Sequence, residues 1–397
     1  MKIVALHTDF RIYWVARLDA LRTYLYDRDI ELYVVEIAGE GSPYSFSKRS
    51  VSDLDFHWDI LYPGEKIEDI DRSDIRSAVF RKLDSIQPEV VIAGAIAFPS
   101  GASATAWAKK NNKKVIIFDD AKIEDVQRNF IVNFVKQRIY NGADAMLYPA
   151  EEWAATGAFW KFPKSRLFYG VDVVDNKFWQ QNIITNLELP EHYFLSVGRQ
   201  IPKKNFMGIL EAYDRYRTVR KDAYKLLLIG EGSERHAIEE YIEKKKLQDD
   251  IYLFPFLQQQ ELIPIYHNAE AFIIASKCDE TWGLVINEAM ASGLPVIASD
   301  RCGAARTLIR DGVNGYLFSP MDNSELTQKM SSFHDLSEQE RFDMKKASLA
   351  IIDKWGLERF CIAAYDAVQY VLSSNNRKLT LLDKMFIKIW KGRYRPI

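Results

Sequence analysis

The stretch DETWGLVINEAMASGLPVIAS occupies residues 279–299 and combines the pattern of a helix with that of a buried strand. Good helix formers run over residues 284–292, Gly293 can adopt the left-handed conformation that ends a helix, and Pro295 prevents the helix from continuing. The apolar, β-branched residues that follow are typical of a short strand. A helix that leads directly into such a strand predicts one unit of a parallel α/β sheet.

The same alternation of short apolar runs and helix-like segments extends on both sides of this stretch. In the second half of the chain the runs are YFLSV (193–197), KLLLI (225–229), IYLF (251–254), AFIIA (271–275) and PVIAS (295–299). In the first half they are KIVAL (2–6), IELYVV (30–35), EVVIA (89–93), KVIIF (114–118) and AMLYP (145–149). Each set predicts a parallel sheet with helices on both faces. We therefore expect two Rossmann-like domains that face each other across a cleft.

The length of 397 residues also favours two domains, because one hydrophobic core seldom spans so long a chain. We place the N-terminal domain at 1–175 and the C-terminal domain at 190–354, with a polar linker between them. The amphipathic segment WGLERFCIAAYDAVQYVL predicts a long helix within 355–376. Residues 377–397 form a basic amphipathic tail.

The composition argues against several classes of protein. Hydrophobic residues make up 48% of the chain and charged residues 27%, a balance typical of soluble globular proteins. The net charge of -2 argues against a nucleic-acid-binding protein. Cys278, Cys302 and Cys361 are scattered, which argues against a disulfide framework or a zinc site. The N-terminus shows no signal-peptide pattern, so we expect a cytoplasmic protein.

Glu280 and Glu288 could be a catalytic pair, two contacts to one long ligand, or ordinary residues of a helix. If the residues between them were all helical, the two backbones would lie roughly 12 Å apart. Glycosidase carboxylates lie about 5 to 9.5 Å apart, so hydrolysis is disfavoured and an extended ligand fits better. Thr281 could cap the helix, whose N-terminal amides favour a phosphate, and Gly283 permits close approach of a ligand. A nucleotide sugar matches this arrangement, with its sugar at one carboxylate, its ribose at the other and its diphosphate at the helix amides between them.

The chain resembles the family 4 retaining glycosyltransferases, which have the GT-B fold. Their signature has two glutamates separated by seven residues, and here it comprises Glu280, Trp282, Gly283, Leu284, Glu288, Ala289, Gly293, Pro295 and Val296. Further matching segments follow the family's order: YGVDVVDNKF (169–178), SVGRQIPKKN (196–205), LLIGEGSE (227–234) and FPFLQQQELIPIYHNAEAFIIAS (254–276). The resemblance is good over 169–320. It implies a C-terminal helix that packs back on the N-terminal domain, an acceptor site in the N-terminal domain and a donor site in the C-terminal domain.

Carried over residue by residue, the resemblance implies a donor site around the two glutamates. Glu280 would hold hydroxyls of the donor sugar and Glu288 those of the ribose, while Arg199 and Lys204 would contact the diphosphate. Fixed cations suit this position because they stabilise the negative charge that grows on a departing diphosphate. The other implied donor-binding residues are Trp282, Gly283, Leu284, Gly230 and Phe256. For the two aromatic residues of this set, core packing is an equally good explanation.

The chain departs from the family pattern at three places. Many members have a Gly-Gly loop after the first strand, where this chain has HTDFRIYW (7–14), whose polar residues could contact the acceptor. Where the family usually has a histidine, after the KVIIF strand, this chain has Asp119 and Asp120. One of the two could cap the helix that begins near Ile123, or Asp119 could bind a sugar hydroxyl or orient the acceptor as a catalytic residue. Arg306 occupies a position where family members commonly have glutamate. This departure affects the expected sugar pocket and not the expected diphosphate site.

The tail over 377–397 carries seven basic residues and one acidic residue, with apolar residues at helical spacing. It could lie on an anionic membrane surface, or it could pack its apolar stripe on the first domain and leave its lysines in water. Membrane contact would suit an acceptor that is linked to a lipid.

We therefore expect a retaining glycosyltransferase that moves a sugar from a nucleotide-sugar donor to a hydroxyl of a glycan or lipid-linked acceptor, in the synthesis of surface polysaccharide or glycolipid. We expect no nucleic acid partner, and neither a metal ion nor a cofactor is required. Two enzyme alternatives are a GT-B epimerase and a pyridoxal-phosphate sugar phosphorylase. A third alternative is an inactive relative that binds nucleotide sugar or acts as a scaffold. The nucleotide base, the sugar, the acceptor and the linkage stay open.

Overall fold

The chain forms two compact units. The computed structural model describes residues 1–40, 57–125, 128–278 and 280–393. Unit 1 comprises Met1–Val173 together with Leu357–Ile397, and unit 2 comprises Val174–Gly356. The chain therefore leaves unit 1, forms unit 2, and then returns to unit 1.

Unit 1 contains a parallel sheet of seven strands among the described residues, in the spatial order β3-β2-β1-β4-β5-β6-β7. The strands are β1 (Lys2–His7), β2 (Glu31–Glu40), β3 (Trp58–Lys66), β4 (Val90–Ala93), β5 (Lys114–Phe118), β6 (Ala145–Tyr148) and β7 (Leu167–Tyr169). Every residue of β4 and β6 is buried, as expected for strands covered on both faces. The helices of the first part of this unit are α1 (Tyr13–Tyr26), α2 (Arg72–Ile86), α3 (Pro99–Lys110), α4 (Phe130–Tyr140) and α5 (Ala154–Phe159).

Unit 2 contains a second parallel sheet, with six described strands in the order β10-β9-β8-β11-β12-β13. These strands are β8 (Tyr193–Val197), β9 (Lys225–Ile229), β10 (Ile251–Phe254), β11 (Ala271–Ile274), β12 (Val296–Ser299) and β13 (Gly315–Phe318). The helices are α6 (Asn176–Trp179), α7 (Phe206–Val219), α8 (Arg235–Lys244), α9 (Gln259–Asn268), α10 (Leu284–Ala291), α11 (Gly303–Leu308), α12 (Asn323–His334) and α13 (Glu338–Ile352). The prediction of two Rossmann-like sheets is confirmed.

The long C-terminal helix packs back on unit 1, as predicted. This helix, α14 (Leu357–Ser373), contacts α1, and its apolar stripe joins the core of the unit 1 sheet. Phe360, Ala364 and Val368 are among its buried residues, at spacings of four that place them on one face.

The basic tail forms one more helix, α15 (Leu381–Ile389), which packs against α3 and α4. Asp383 and Ile387 are buried on its inner face, and Asn141 donates a hydrogen bond to Asp383 Oδ1 at 2.9 Å. Trp390 follows the helix and donates from Nε1 to the carbonyl of Ile96 at 2.7 Å. One face of the tail therefore packs on unit 1, which was one of the two predicted alternatives. Within the described ranges, no helix has the length and apolar character needed to cross a membrane.

Candidate active site

The sheet of unit 2 reverses its strand order at β8, whose neighbours β9 and β11 lie on opposite sides of it. In open α/β sheets, ligands bind outside the carboxyl ends of the strands at such a point. The loop after β8 (198–205) and the loop after β11 (275–283) both begin there. Their backbones are joined by a hydrogen bond from the amide of Lys277 to the carbonyl of Lys203 at 2.8 Å.

Lys204 and Glu280 come into direct contact across these two loops. The Lys204 ammonium donates to Glu280 Oε2, and the Ser276 hydroxyl donates to the same oxygen at 3.0 Å. The two charged side chains are 16% and 12% exposed, so the pair is largely withdrawn from water yet reachable. The chain thus holds one cation and one anion together at the strand ends.

The pair also sets the charge state of Glu280. Burial acts to raise the pKa of this carboxyl, but the charge of Lys204 and the hydrogen bonds from Lys204 and Ser276 outweigh burial and hold the pKa below its ordinary value of 4.5. Glu280 is therefore an ionised hydrogen-bond acceptor at neutral pH. The stabilisation from this pair is lost only when the pH falls through that lowered pKa.

Two glycines with positive φ shape the loops around this pair. Gly230 follows β9 with φ +137°, and a Cβ there would lie 2.0 Å from the carbonyl oxygen of Gly198. Gly283 has φ +95°, and a Cβ there would lie 3.4 Å from Cγ of Glu280. Only glycine suits such conformations, so Gly230 packs the β9 loop against the loop that carries Arg199, and Gly283 packs beside Glu280.

The helix predicted after Gly283 is present as α10, but its start differs from the prediction. The N-cap residue is Gly283, which has no side chain with which to cap the helix. The prediction that Thr281 caps it is therefore wrong, because the left-handed glycine turns the chain into the helix two residues later. The amides of the first turn, beginning with Leu284, then point out of the helix end, which is an arrangement suited to an anion.

Glu288 and Trp282 are both buried. Glu288 is 2% exposed on α10 and accepts a hydrogen bond from the Tyr266 hydroxyl at 2.9 Å, which fixes its carboxylate. Trp282 is also 2% exposed, donates from Nε1 to Asn287 Oδ1 at 2.9 Å and packs on Trp355 with ring centroids 5.5 Å apart. These contacts support the core-packing interpretation of Trp282.

Arg199 and Phe256 lie in loops at the same end of the sheet. Arg199 is half-buried in the loop after β8, and within the part of the chain that the structure describes its side chain makes no hydrogen bond or ion pair. Phe256 follows β10 and is 36% exposed. The guanidinium is therefore placed to accept an outside anion, and the phenyl ring presents apolar surface.

Asp119 lies in unit 1, directly after β5, with both carboxylate oxygens engaged. Oδ1 accepts from the amide of Ala121 at 3.1 Å and Oδ2 accepts from the Tyr140 hydroxyl at 3.0 Å. Burial and the nearby charge of Asp120 raise the pKa of Asp119. The first bond holds the turn between the strand and the short helix at Ile123–Asp125, and both the capping role and a catalytic role for Asp119 stay predictions.

The two remaining departures from the family pattern have clear local surroundings. His7 ends β1 within a cluster of aromatic rings, 5.1 Å from Phe118 and 5.8 Å from Phe98, and burial lowers its pKa to about 4. It is therefore a neutral imidazole at physiological pH. Arg306 donates from Nε to the carbonyl of Asp300 at 3.0 Å and so is held at the surface of unit 2.

The sequence-predicted residues Lys204, Glu280 and Gly283 are thus in one cluster, with Glu288 on the helix that follows. Two residues that position the glutamates, Ser276 and Tyr266, were not predicted from the sequence. Neither stands in a pattern that marks it, since Ser276 closes a strand-like run and Tyr266 lies on an apolar helix face. Among the described residues, no group of three or more His, Cys, Asp or Glu side chains is arranged to hold a metal ion.

Part of the sequence is similar to known glycosyltransferases. Residues 178–349 match the model of the family described as glycosyl transferases group 1. Over 190 residues the chain is 28% identical to the lipopolysaccharide 1,2-N-acetylglucosaminetransferase of Salmonella typhimurium, and the match covers 45% of this chain and 49% of that protein. The chain thus spans about half the length of this curated relative.

Solved structures resemble nearly the whole chain. A glycosyltransferase from Rickettsia africae has a TM-score of 0.75 at 14% identity, covering 94% of this chain and 99% of the other. Anabaena HepE in complex with UDP-glucose has a TM-score of 0.70 at 14% identity, covering 93% of this chain and 99% of the other. The fold is therefore GT-B, and the segment 178–349, which contains the Glu-x7-Glu stretch, matches the group 1 glycosyltransferase family.

Proposed function

We propose that this chain transfers a sugar, with retention at the anomeric carbon, from a nucleoside diphosphate sugar held in unit 2 to an acceptor hydroxyl. The contact between Lys204 and Glu280 carries the proposal. It joins a cation and an anion at the carboxyl ends of β8 and β11, where sheets of this kind bind ligands. A sugar diphosphate uses both, because its hydroxyls donate to a carboxylate and its phosphates attract a cation.

Each group of the cluster has a role in holding the donor. Ionised Glu280 accepts hydrogen bonds from hydroxyls of the sugar, and Glu288, fixed by Tyr266, accepts from those of the ribose. Lys204 turns from Glu280 towards the diphosphate when the donor binds, which its flexible stem allows. Arg199, five residues earlier in the same loop, adds a second cation with a planar fork that matches phosphate oxygens.

In the transfer step, the bond between the anomeric carbon and the diphosphate oxygen breaks, and the oxygen leaves with the electron pair. The acceptor oxygen forms the new bond on the same face of the sugar, and its proton passes to the departing phosphate oxygen. Negative charge grows on the diphosphate as the bond breaks. Lys204 and Arg199 therefore stabilise the transition state more than the bound donor.

The relatives support one class of donor and one class of acceptor. A uridine diphosphate sugar is the first candidate donor, because Anabaena HepE is in complex with UDP-glucose. The acceptor is a glycan or a lipid-linked saccharide of surface polysaccharide or glycolipid synthesis, a proposal that the Salmonella lipopolysaccharide enzyme supports. A lipid-linked acceptor places the protein at the inner face of a membrane, which the basic tail over 377–397 contacts.

A thermal-shift screen of nucleotide sugars with the full chain, followed by product analysis, tests this function. At about 100 times its dissociation constant, the true donor should add about 2.7 kcal/mol to the free energy of unfolding of the unit that binds it. The same donor should be transferred, or slowly hydrolysed, with the α-configured sugar product expected from an α-linked donor. A shift without turnover would instead support a binding or scaffold protein, and no shift with any nucleotide sugar would overturn the proposal.

A further inference from the structure

Helices α4 and α15 of unit 1 expose an unusual amount of apolar surface. In the described part of the chain, 21 large hydrophobic side chains are exposed, and eight of them lie in these two helices of 11 and 9 residues. The six most exposed members, which we call the α4/α15 surface, are Phe130, Ile131, Phe134, Leu381, Met385 and Ile389. Soluble proteins rarely expose contiguous apolar patches unless the patch binds something.

The apolar residues of the two helices form one continuous surface. The helices pack against each other, and Phe134 meets Phe386 edge-on, with ring centroids 6.4 Å apart. Leu381, Met385 and Ile389 follow one another at spacings of four residues and are 86%, 46% and 59% exposed. They therefore project from one side of α15, next to the exposed rings of α4.

This exposed surface is separate from the packing that holds the helices in place. The inner face of α15 is already filled by Asp383 and Ile387, and the inner end of α4 by Ile139 and Tyr140. Asp383 is held there by Asn141 and by an ion pair with Arg138 at 3.6 Å. Most of the outward apolar area therefore lies outside the core of unit 1, and of the named surface residues Phe134 also packs between the two helices.

The charged residues of α4 and α15 are basic with one buried exception, and outside the two helices the carboxylate of Asp71 lies near Lys391. Asp383 is the one acidic residue of the two helices and is 2% exposed, whereas Lys384 and Lys388 of α15 are exposed. Lys378 and Lys391 flank α15 and are exposed as well. A second copy of this chain would bring the same lysines towards one another across a symmetric contact. An anionic lipid bilayer suits both sets of residues, because its headgroups attract the lysines and its interior accepts the apolar side chains.

We propose that the α4/α15 surface docks on an anionic phospholipid bilayer, with the apolar residues of both helices inserted at the headgroup level and the lysines among the headgroups. Helices of this kind lie in the membrane interface, and apolar insertion combined with basic charge gives two signals for stable attachment. The docking site thus includes α4 as well as the tail, and two helices fixed to each other hold unit 1 in one orientation on the lipid. This inference rests on the proposed function for its purpose, which is access to a lipid-linked acceptor, but lipid binding requires no donor.

Flotation of the full chain with vesicles tests the proposal. Vesicles are made of phosphatidylcholine alone or mixed with phosphatidylglycerol, without nucleotide sugar, so that a failure of transfer leaves the result unaffected. We expect the wild type to float with the phosphatidylglycerol vesicles and less so at high salt. Phe130→Ser with Ile131→Ser, and Leu381→Ser with Met385→Ser, should each weaken partition at least about tenfold. The matched control pair is Ile184→Ser with Met321→Ser, which are 90% and 76% exposed in unit 2.

A charge variant keeps the apolar residues and tests the other half of the proposal. Lys384→Gln with Lys388→Gln should weaken binding to phosphatidylglycerol vesicles about 30-fold, because each lysine near an anionic surface contributes about fivefold. Lys221→Gln with Lys244→Gln in unit 2 has the same net charge and should bind as the wild type. A wild type that stays with the soluble fraction, an α4 pair that floats normally, or a wild-type dimer that the serine pairs dissociate would each overturn the proposal.

Discussion

Lys204→Met is expected to lower the kcat of sugar transfer by about 10²- to 10³-fold, the effect of removing one preorganised group that stabilises transition-state charge. Methionine keeps most of the aliphatic stem and removes the ammonium. The effect on kcat should exceed the effect on donor affinity, because the diphosphate gains most of its negative charge during the reaction. The measurement is transfer of the donor identified by the screen, at saturating donor.

The same substitution leaves Glu280 without its cation. Its carboxylate is only 12% exposed, and once Lys204 is gone burial is no longer outweighed, so the pKa of Glu280 should rise. Loss of activity in the variant should therefore be steeper on the acidic side of the pH profile. Lys221→Met, an exposed lysine of the same unit, serves as the control and should retain the wild-type rate. A Lys204→Met enzyme with wild-type kcat would remove Lys204 from the proposed mechanism.

Trp282→Ala is expected to lower the free energy of unfolding of unit 2 by about 3 to 5 kcal/mol, because it leaves a cavity in the packing against Trp355. The indole is 2% exposed and makes its hydrogen bond to Asn287 inside the unit. Urea unfolding of the full chain, followed through the transition that donor binding shifts, gives the value.

Trp282→Phe separates packing from ligand contact. It fills most of the space but leaves the Asn287 oxygen without its donor, so we expect a smaller loss of about 1 to 3 kcal/mol in the free energy of unfolding. If Trp282 serves packing alone, the free energy of donor binding should change much less than the free energy of unfolding. A variant that unfolds like the wild type but binds donor poorly would show that Trp282 contacts the donor, the other role that the sequence analysis left open.

The central strands of both sheets could be predicted from sequence, and the missed strands share a physical feature. β3, β7 and β13 all lie at the edges of their sheets. β3 contains Pro63 and Gly64 and has four exposed residues at its end, β7 has three residues, and β13 begins with Gly315. Edge strands need neither length nor a continuous apolar run, and these three lack the pattern by which buried strands are recognised, whereas the edge strand β10 keeps the apolar run IYLF and was predicted.

The candidate site could be predicted only in part, because its contacts join residues that are far apart in the sequence. Family resemblance identified Lys204 and Glu280, which are 76 residues apart in sequence, but their contact arises from the neighbouring positions of β8 and β11 in the sheet. Ser276 and Tyr266 have no local signature, because their role is to position other side chains. Thr281 was a reasonable cap by residue type, but the left-handed conformation of Gly283 moved the helix start beyond it.

Donor affinity in Glu280→Gln tests the central claim most directly. Calorimetric titration compares the nucleotide sugar identified by the screen with its own nucleoside diphosphate, for the wild type and for the variant. If Glu280 holds the sugar while Lys204 holds the diphosphate, the variant should lose about 10- to 100-fold in affinity for the nucleotide sugar, the effect of removing a hydrogen bond to a charged group. Its affinity for the nucleoside diphosphate should not fall, since Lys204 is released from its partner. Unchanged affinity for the nucleotide sugar, or an equal loss for both ligands, would contradict the assignment of Glu280 to the sugar.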